Sequence, residues 1–355
     1  MAPLLAAQPL KAIYATFIVL TVPNPLGRLV SGIWHSILSL EQGTSRMLTF
    51  SRKCNDPKEA KERFVQIEPP PTNFFSGVLA PTGPVKPAPV KGVWLPSLPP
   101  QNSAELRKEK VILHLPGGAF VVTFGHEFSG RPVMVIFTQH LKVSRVLWSH
   151  YRLAEVEESR FPGAVQDALT FYRYVLSLGY EPENIILSGD SAGGNVALAL
   201  LRYLEAAKLP ELPPPGRLIT FSPWVSVTAN AGADFENSVN HECDILYGPF
   251  LQWGAEAYLP SARPIPPDVQ PYISPIHHPF QTAVPIFIWA GAAEAFCGDI
   301  RTFADEMAKV QGNKIQYHEQ EKAAHDLLMN LNMFKLEEGF YSAMSQAYKF
   351  LSNAE

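Results

Sequence analysis

The feature that most constrains this chain is the run Gly189-Asp190-Ser191-Ala192-Gly193-Gly194-Asn195, set between two stretches of different periodicity. Before it lies a short apolar segment, 184–187 (NIIL), with the character of a buried strand. After it an apolar helical pattern continues to about residue 207. G-x-S-x-G between a strand and a helix predicts a strained turn that pushes the serine hydroxyl out of the backbone. Glycines on either side remove the Cβ atoms that would clash there. The helix that follows aims its N-terminus, with free N–H groups and the positive end of its dipole, at a site where an oxyanion can form. Glycine and serine are common residues, so the motif gains its weight from this context. Without the context it is an ordinary strand–helix turn.

The rest of the chain supplies the framework such a turn needs. From residue 74 onward short β-rich runs alternate with helical ones, the mark of a βα-wound sheet. Strands are predicted at Val90–Leu95, Val111–Leu115, Arg145–His150, 218–221, 286–290 and 315–318, besides 184–187. A helix is predicted over Gly163–Leu178, because Val165, Leu169, Tyr172 and Leu176 form one apolar stripe. Pro162 precedes it and Gly179 follows it, a start and a stop of the expected kind. A closing helix is predicted after Phe334. The expected class is therefore α/β, with a mostly parallel central sheet and helices on both faces. Residues 1–70 read as helical, including a charged stretch over 57–65, and end at the stiff spacer Pro69-Pro70-Pro71. They are expected to form a lid over a domain spanning 74–355. The Pro-rich, aromatic segment at about 226–280 breaks the βα rhythm and is expected to contribute a second lid segment, with a helical patch near 249–258.

Two further constellations fit the serine turn. Pro116-Gly117-Gly118-Ala119-Phe120 follows a strand, and small residues there let backbone N–H groups approach a substrate carbonyl. Gly117, Gly118, Ala119 and Ala192 are thus the candidate oxyanion hole. In a fold of this kind the acid and the base follow the last two strands, in the order Ser, acid, His. His325 (KAAHDLL) lies just past 315–318, and Glu294 (AGAAEAF) just past 286–290. Asp299 shares the loop with Glu294 and is the alternative acid.

These motifs together resemble the hormone-sensitive-lipase-like family of α/β hydrolases, fungal members especially, over residues 74–350. YRLAEVEESRFPGAVQDAL resembles the family's YRLAPE…FPAALEDA run, GDSAGGN is its elbow unchanged, and AAHD resembles its histidine segment. The resemblance implies an α/β-hydrolase fold and a carboxylic ester hydrolase with Ser191 as nucleophile, Glu294 as acid and His325 as base. Gly118, Ala119 and Ala192 would be oxyanion donors, residues 1–70 the lid, and specialised metabolism the setting. A thioesterase, lactonase or cyclisation catalyst would use the same triad, and a non-catalytic receptor on this fold would have lost the base that His325 provides. The sequence departs from the family twice. Its HGGGF stands here as PGGAF, so Pro116 replaces a histidine and Ala119 a glycine; His114 either compensates or merely points into the sheet. The family's aspartate is here Glu294, in E-A-F-C-G-D.

Bulk properties exclude other classes. The 355 residues carry a net charge of −4, with no basic face to attract phosphates, so no nucleic-acid partner is expected. The partner expected is a small-molecule ester. The three cysteines, Cys54, Cys243 and Cys297, show no paired spacing, which suits a reducing compartment. No metal spacing occurs and neither metal nor cofactor is expected. Residues 12–22 (AIYATFIVLTV) form an apolar run too short to span a bilayer. Three readings stand for it: a lid helix, a peripheral membrane contact, or the core of a cleaved signal.

Overall fold

The computed structural model describes residue 51 and residues 57–81 and 83–352. The apolar run 12–22 and most of the expected N-terminal lid lie outside these residues. Among the described residues, no helix is long and apolar enough to cross a membrane. Strands β1 (Phe64–Ile67), β2 (Val90–Leu95), β3 (Val111–Leu115), β4 (Arg145–His150), β5 (Ile185–Asp190), β6 (Arg217–Phe221), β7 (Ile286–Gly291) and β8 (Ile315–Gln320) form one sheet. Their spatial order is β1-β2-β4-β3-β5-β6-β7-β8. β1 and β2 pair antiparallel, as do β2 and β4, and every other pairing is parallel. Strands β3, β5, β6 and β7 are buried along their whole length, which is why their sequences are largely apolar and do not alternate.

The sheet starts earlier than the sequence implies. The stretch 57–65, expected as helix, is helical only over Pro57–Ala60 and one 3₁₀ turn at Lys61–Arg63. At Phe64 the chain becomes an edge strand, with Phe64 opposite Val93 and Ile67 opposite Val90. The β-forming residues Phe64, Val65 and Ile67 outweigh the helical charge pattern once β2 offers them a partner. The triple-proline spacer therefore follows the first strand instead of separating a lid from the sheet.

Helices cover both faces. α1 (Arg131–His140), α7 (Leu327–Phe334) and α8 (Glu337–Ser352) lie on one, burying Phe137, Leu331, Phe340 and Met344. α2 (Gly163–Leu178), α3 (Ser191–Ala207) and α6 (Cys297–Lys309) lie on the other. In α2 the residues Val165, Leu169 and Tyr172 are fully buried, as their spacing requires, each contributing about 1.5–3 kcal/mol. Gly179 ends the helix at φ 104°, donating its N–H to Leu176 O. The segment 226–280 carries α4 (Ala231–Glu236) and α5 (Gly248–Tyr258), packed together.

One consequence of the strand order fixes the place of the site. The chain leaves β3 for β4 on one side and returns to β5 on the other, while β3 and β5 are direct neighbours with Leu115 opposite Gly189. Connections leaving their C-terminal ends diverge, and a crevice opens between them. Residues 116–120 and 190–193 meet at that crevice.

Candidate active site

Ser191 is the first residue of α3 and has φ +49°, a left-handed conformation that a residue with a Cβ rarely adopts. Close contact holds it there. A Cβ on Gly193 would lie 1.9 Å from Leu115 O, so only glycine lets the elbow sit against the end of β3. Trp224 donates its backbone N–H to Ser191 O at 2.9 Å. Asn195 donates through Nδ2 to Trp224 O and Ile273 O, both at 2.8 Å, fixing α3 to the loop after β6.

The turn after β3 is equally strained. Gly118, Ala119 and Phe120 have φ of 125°, 50° and 65°. Gly118 O accepts the N–H groups of Val121 and Val122 at 3.0 Å each, and a Cβ on Gly118 would lie 2.1 Å from Val122 O. Tyr151 Oη donates to Pro116 O at 2.6 Å. The Phe120 ring stacks on Tyr258 of α5, centroids 3.7 Å apart, so the 226–280 segment braces this turn.

The backbone donors divide into two kinds. The N–H groups of Gly118, Ala119 and Ala192 meet no acceptor among the described residues. Gly117, counted with them from sequence, is different: its N–H donates to Asp190 Oδ2 at 2.8 Å. A donor so engaged is not open to an oxyanion, and Gly117 instead ties the turn to the elbow. The other oxygen of Asp190 lies 3.0 Å from His114 Nε2, and His114 Nδ1 lies 3.1 Å from Ser188 Oγ. A carboxylate only accepts, so Nε2 carries the hydrogen. His114 is fully buried and stacks on Trp148 at 4.7 Å. It therefore lies in the core beneath the elbow, bracing from β3 the carboxylate that braces the turn.

Across the crevice, Glu294 is fully buried and accepts from His325 Nδ1 at 2.7 Å, while its other oxygen accepts from Gly291 N–H at 2.8 Å. Asp299 is exposed in the first turn of α6 and hydrogen-bonds to Ser226. The structure thus brings Glu294, and not Asp299, to His325. Burial by itself lowers the imidazole's proton affinity. The bond to Glu294, with the charges of Glu294, Asp244 and Asp190, outweighs burial and raises it above the ordinary value. His325 Nε2 is buried with no hydrogen-bond partner among the described residues. The two halves join through the neighbours of Ser191 and His325, since the carboxyl groups of Asp190 and Asp326 are hydrogen-bonded. Burial, the Asp190 charge and this bond hold Asp326 well above the usual carboxylate range.

The sequence reading missed Asp244, Asn240 and Ser238. Asp244 Oδ1 accepts the N–H groups of His325 (3.0 Å) and Ile245 (2.7 Å), and its Oδ2 accepts that of Ala295 (2.7 Å). Asn240 Nδ2 donates to Ala292 O (2.9 Å) and Glu294 O (3.0 Å), and Ser238 Oγ to Ala295 O (2.9 Å). No motif marks these residues. Among the described residues, no group of three His, Cys, Asp or Glu side chains is placed to hold a metal ion.

Comparison with known proteins agrees with this architecture. A family model described as the alpha/beta hydrolase fold matches residues 112–329. An acetyl-hydrolase of Streptomyces hygroscopicus is 30% identical over 216 residues, covering 61% of this chain and 67% of that protein. An esterase of Acinetobacter venetianus is 30% identical over 229 residues, 64% of this chain and 69% of that protein. The solved structure of an esterase from the bacterial hormone-sensitive lipase family superposes with a TM-score of 0.60 at 22% identity, covering 97% of each chain, and so shares the fold. With the elbow at the end of β5, the strand order and the family match in agreement, the chain belongs to the α/β-hydrolase fold family.

Proposed function

We propose that the chain hydrolyses carboxylic esters through an acyl-enzyme, with Ser191 as nucleophile, His325 as base and Glu294 as the acid that orients it. Ester hydrolysis rests on the family match and on the esterase and acetyl-hydrolase relatives. The mechanism rests on one observation above the others. Glu294 takes the Nδ1 hydrogen of His325 at 2.7 Å, which leaves Nε2 as a buried proton acceptor in the site that holds the strained Ser191.

As Ser191 Oγ attacks the ester carbonyl, its proton passes to His325 Nε2. The oxyanion accepts hydrogen bonds from the N–H groups of Gly118, Ala119 and Ala192. Collapse of the intermediate breaks the ester C–O bond, and His325 returns the proton to the departing alkoxide. Water, giving a proton to His325, then attacks the acyl-serine; the acid leaves and Ser191 recovers its hydrogen. The substrate is a small-molecule ester selected by the lid, to which 226–280 contributes through Tyr258 on Phe120.

The test is Ser191→Ala assayed on p-nitrophenyl acetate and butyrate. Loss of about 10⁶ in kcat is expected, with an unchanged circular dichroism spectrum. Turnover within tenfold of wild type in a folded variant would end the assignment of Ser191.

A further inference from the structure

We infer that Asp244 is a positioning residue of the active site, its carboxylate holding the loop that bears Glu294 in register with the loop that bears His325. The inference rests on the triad reading above. The two loops leave the ends of the neighbouring strands β7 and β8, and Glu294 and His325 are 31 positions apart. Near the strand ends the loops meet directly, Ala292 N–H on Gln320 O and Ala293 N–H on Ala323 O, both at 2.9 Å. At the tips, besides the Glu294–His325 bond itself, the link runs through a third piece of chain, residues 238–244 between α4 and α5. There Asp244 takes the N–H of His325 itself on one oxygen and the N–H of Ala295, next to Glu294, on the other. Ser238 and Asn240 hold the same acid loop through its carbonyl oxygens. The strap thus offers the acid loop donors (Asn240, Ser238) for its carbonyl oxygens and an acceptor (Asp244) for the Ala295 N–H, so a shift of the loop breaks several bonds at once.

A carboxylate is required where Asp244 sits, because both of its oxygens accept. An amide has one oxygen: placed toward Ala295 N–H, its NH₂ meets the N–H groups of His325 and Ile245, donor against donor. Asp244 is also only 8% exposed, so its bonds are little diluted by water and its charge acts on the imidazole. The acidic groups around His325 are Glu294 from the loop after β7, Asp190 from the elbow, Asp326 beside it and Asp244 from the strap. Asp244 alone among them comes from the 226–280 segment, which ties this segment to the catalytic base.

The experiment measures kcat and KM for p-nitrophenyl acetate against pH in wild type, Asp244→Asn and Asp244→Glu. Loosening the pair by a fraction of an ångström is expected to lower kcat of Asp244→Asn by about 10²-fold while KM changes little. His325 must be neutral to accept the serine proton, and a negative charge nearby favours its protonated form. Removing that charge moves the acid limb of kcat/KM to lower pH in Asp244→Asn and leaves it in place in Asp244→Glu. A merely structural aspartate would alter stability without moving the limb. A wild-type kcat and an unmoved limb in folded Asp244→Asn overturn the inference. Should that variant not fold, Asn240→Ala, which frees the acid loop from the same strap, is expected to lower kcat about tenfold. A wild-type kcat there overturns the inference instead. Failure of the triad reading looks different, because Ser191→Ala would then keep its activity whatever Asp244 does.

Discussion

On the elbow side of the crevice, backbone conformation does the positioning. Ser191, Gly118, Ala119 and Phe120 have left-handed backbone at the ends of adjacent strands; close approaches to Leu115 and Val122 fix the turns there, and Trp224 and Tyr258 brace them from farther along the chain. On the histidine side, side chains do the same work. Glu294 and His325 lie on loops after β7 and β8, and they are fixed to each other and to a strap of chain about 50 and 80 residues earlier. Tight turns that only glycine permits leave a local mark in the sequence. A clamp made of Asp244, Asn240 and Ser238 leaves none, because its members acquire their partners only in the folded chain. The elbow side should therefore be sensitive to small changes of backbone shape, and the histidine side to the loss of single hydrogen-bonding atoms.

Among the groups that position His325, the largest effect is expected from Glu294→Gln. Neutralising the acid leaves the tautomer and orientation of His325 unfixed, and the comparable change in a serine protease cost about 10⁴ in kcat. Asp299→Asn, exposed and bonded to Ser226, is expected to change kcat by less than about twofold. The reverse ranking in steady-state kinetics of folded variants would move the acid to Asp299 and undo the division between the two sides.

The smallest effect concerns the link between the sides. Burial, the Asp190 charge and their shared hydrogen bond hold Asp326 above its value in the unfolded chain. A group raised in this way gives its full stabilisation below its unfolded pKa and loses it as pH rises through the folded one, because only the unfolded chain ionises in between. Asp326→Asn keeps a donor toward Asp190 and removes this dependence. Its Tm is expected to exceed that of wild type by about 2 °C at pH 7, with the difference vanishing near pH 4. A difference that stays constant with pH would mean that Asp326 is not held neutral across the junction.

The pattern of legibility follows the same division. Seven of the eight strands could be read because buried parallel strands need apolar runs, and α2 because its stripe and its Pro162 and Gly179 boundaries are local. β1 was hidden: Phe64–Ile67 sits behind a charged helical pattern, and only pairing with β2 makes it a strand. Gly117 was grouped with Gly118 because adjacent glycines look alike in sequence, and only the fold brings Asp190 to its N–H. His114 was ambiguous for the same reason, since Ser188 and Asp190 come from another strand. The place of Ser191 at the turn after β5 and the meeting of Glu294 with His325 were legible because each residue follows a recognisable strand.

The central claim is that the two sides act as one unit on Ser191, and the rate of phosphonylation tests it most directly. A fluorophosphonate probe reports the nucleophilicity of the serine without depending on deacylation. In wild type a single adduct is expected on the peptide containing Ser191, formed in step with loss of esterase activity. In His325→Ala and Glu294→Gln the labelling rate at Ser191 should fall by orders of magnitude, while Asp299→Asn should label as wild type does. Labelling of His325→Ala at the wild-type rate, or an adduct on a residue other than Ser191, would contradict the account.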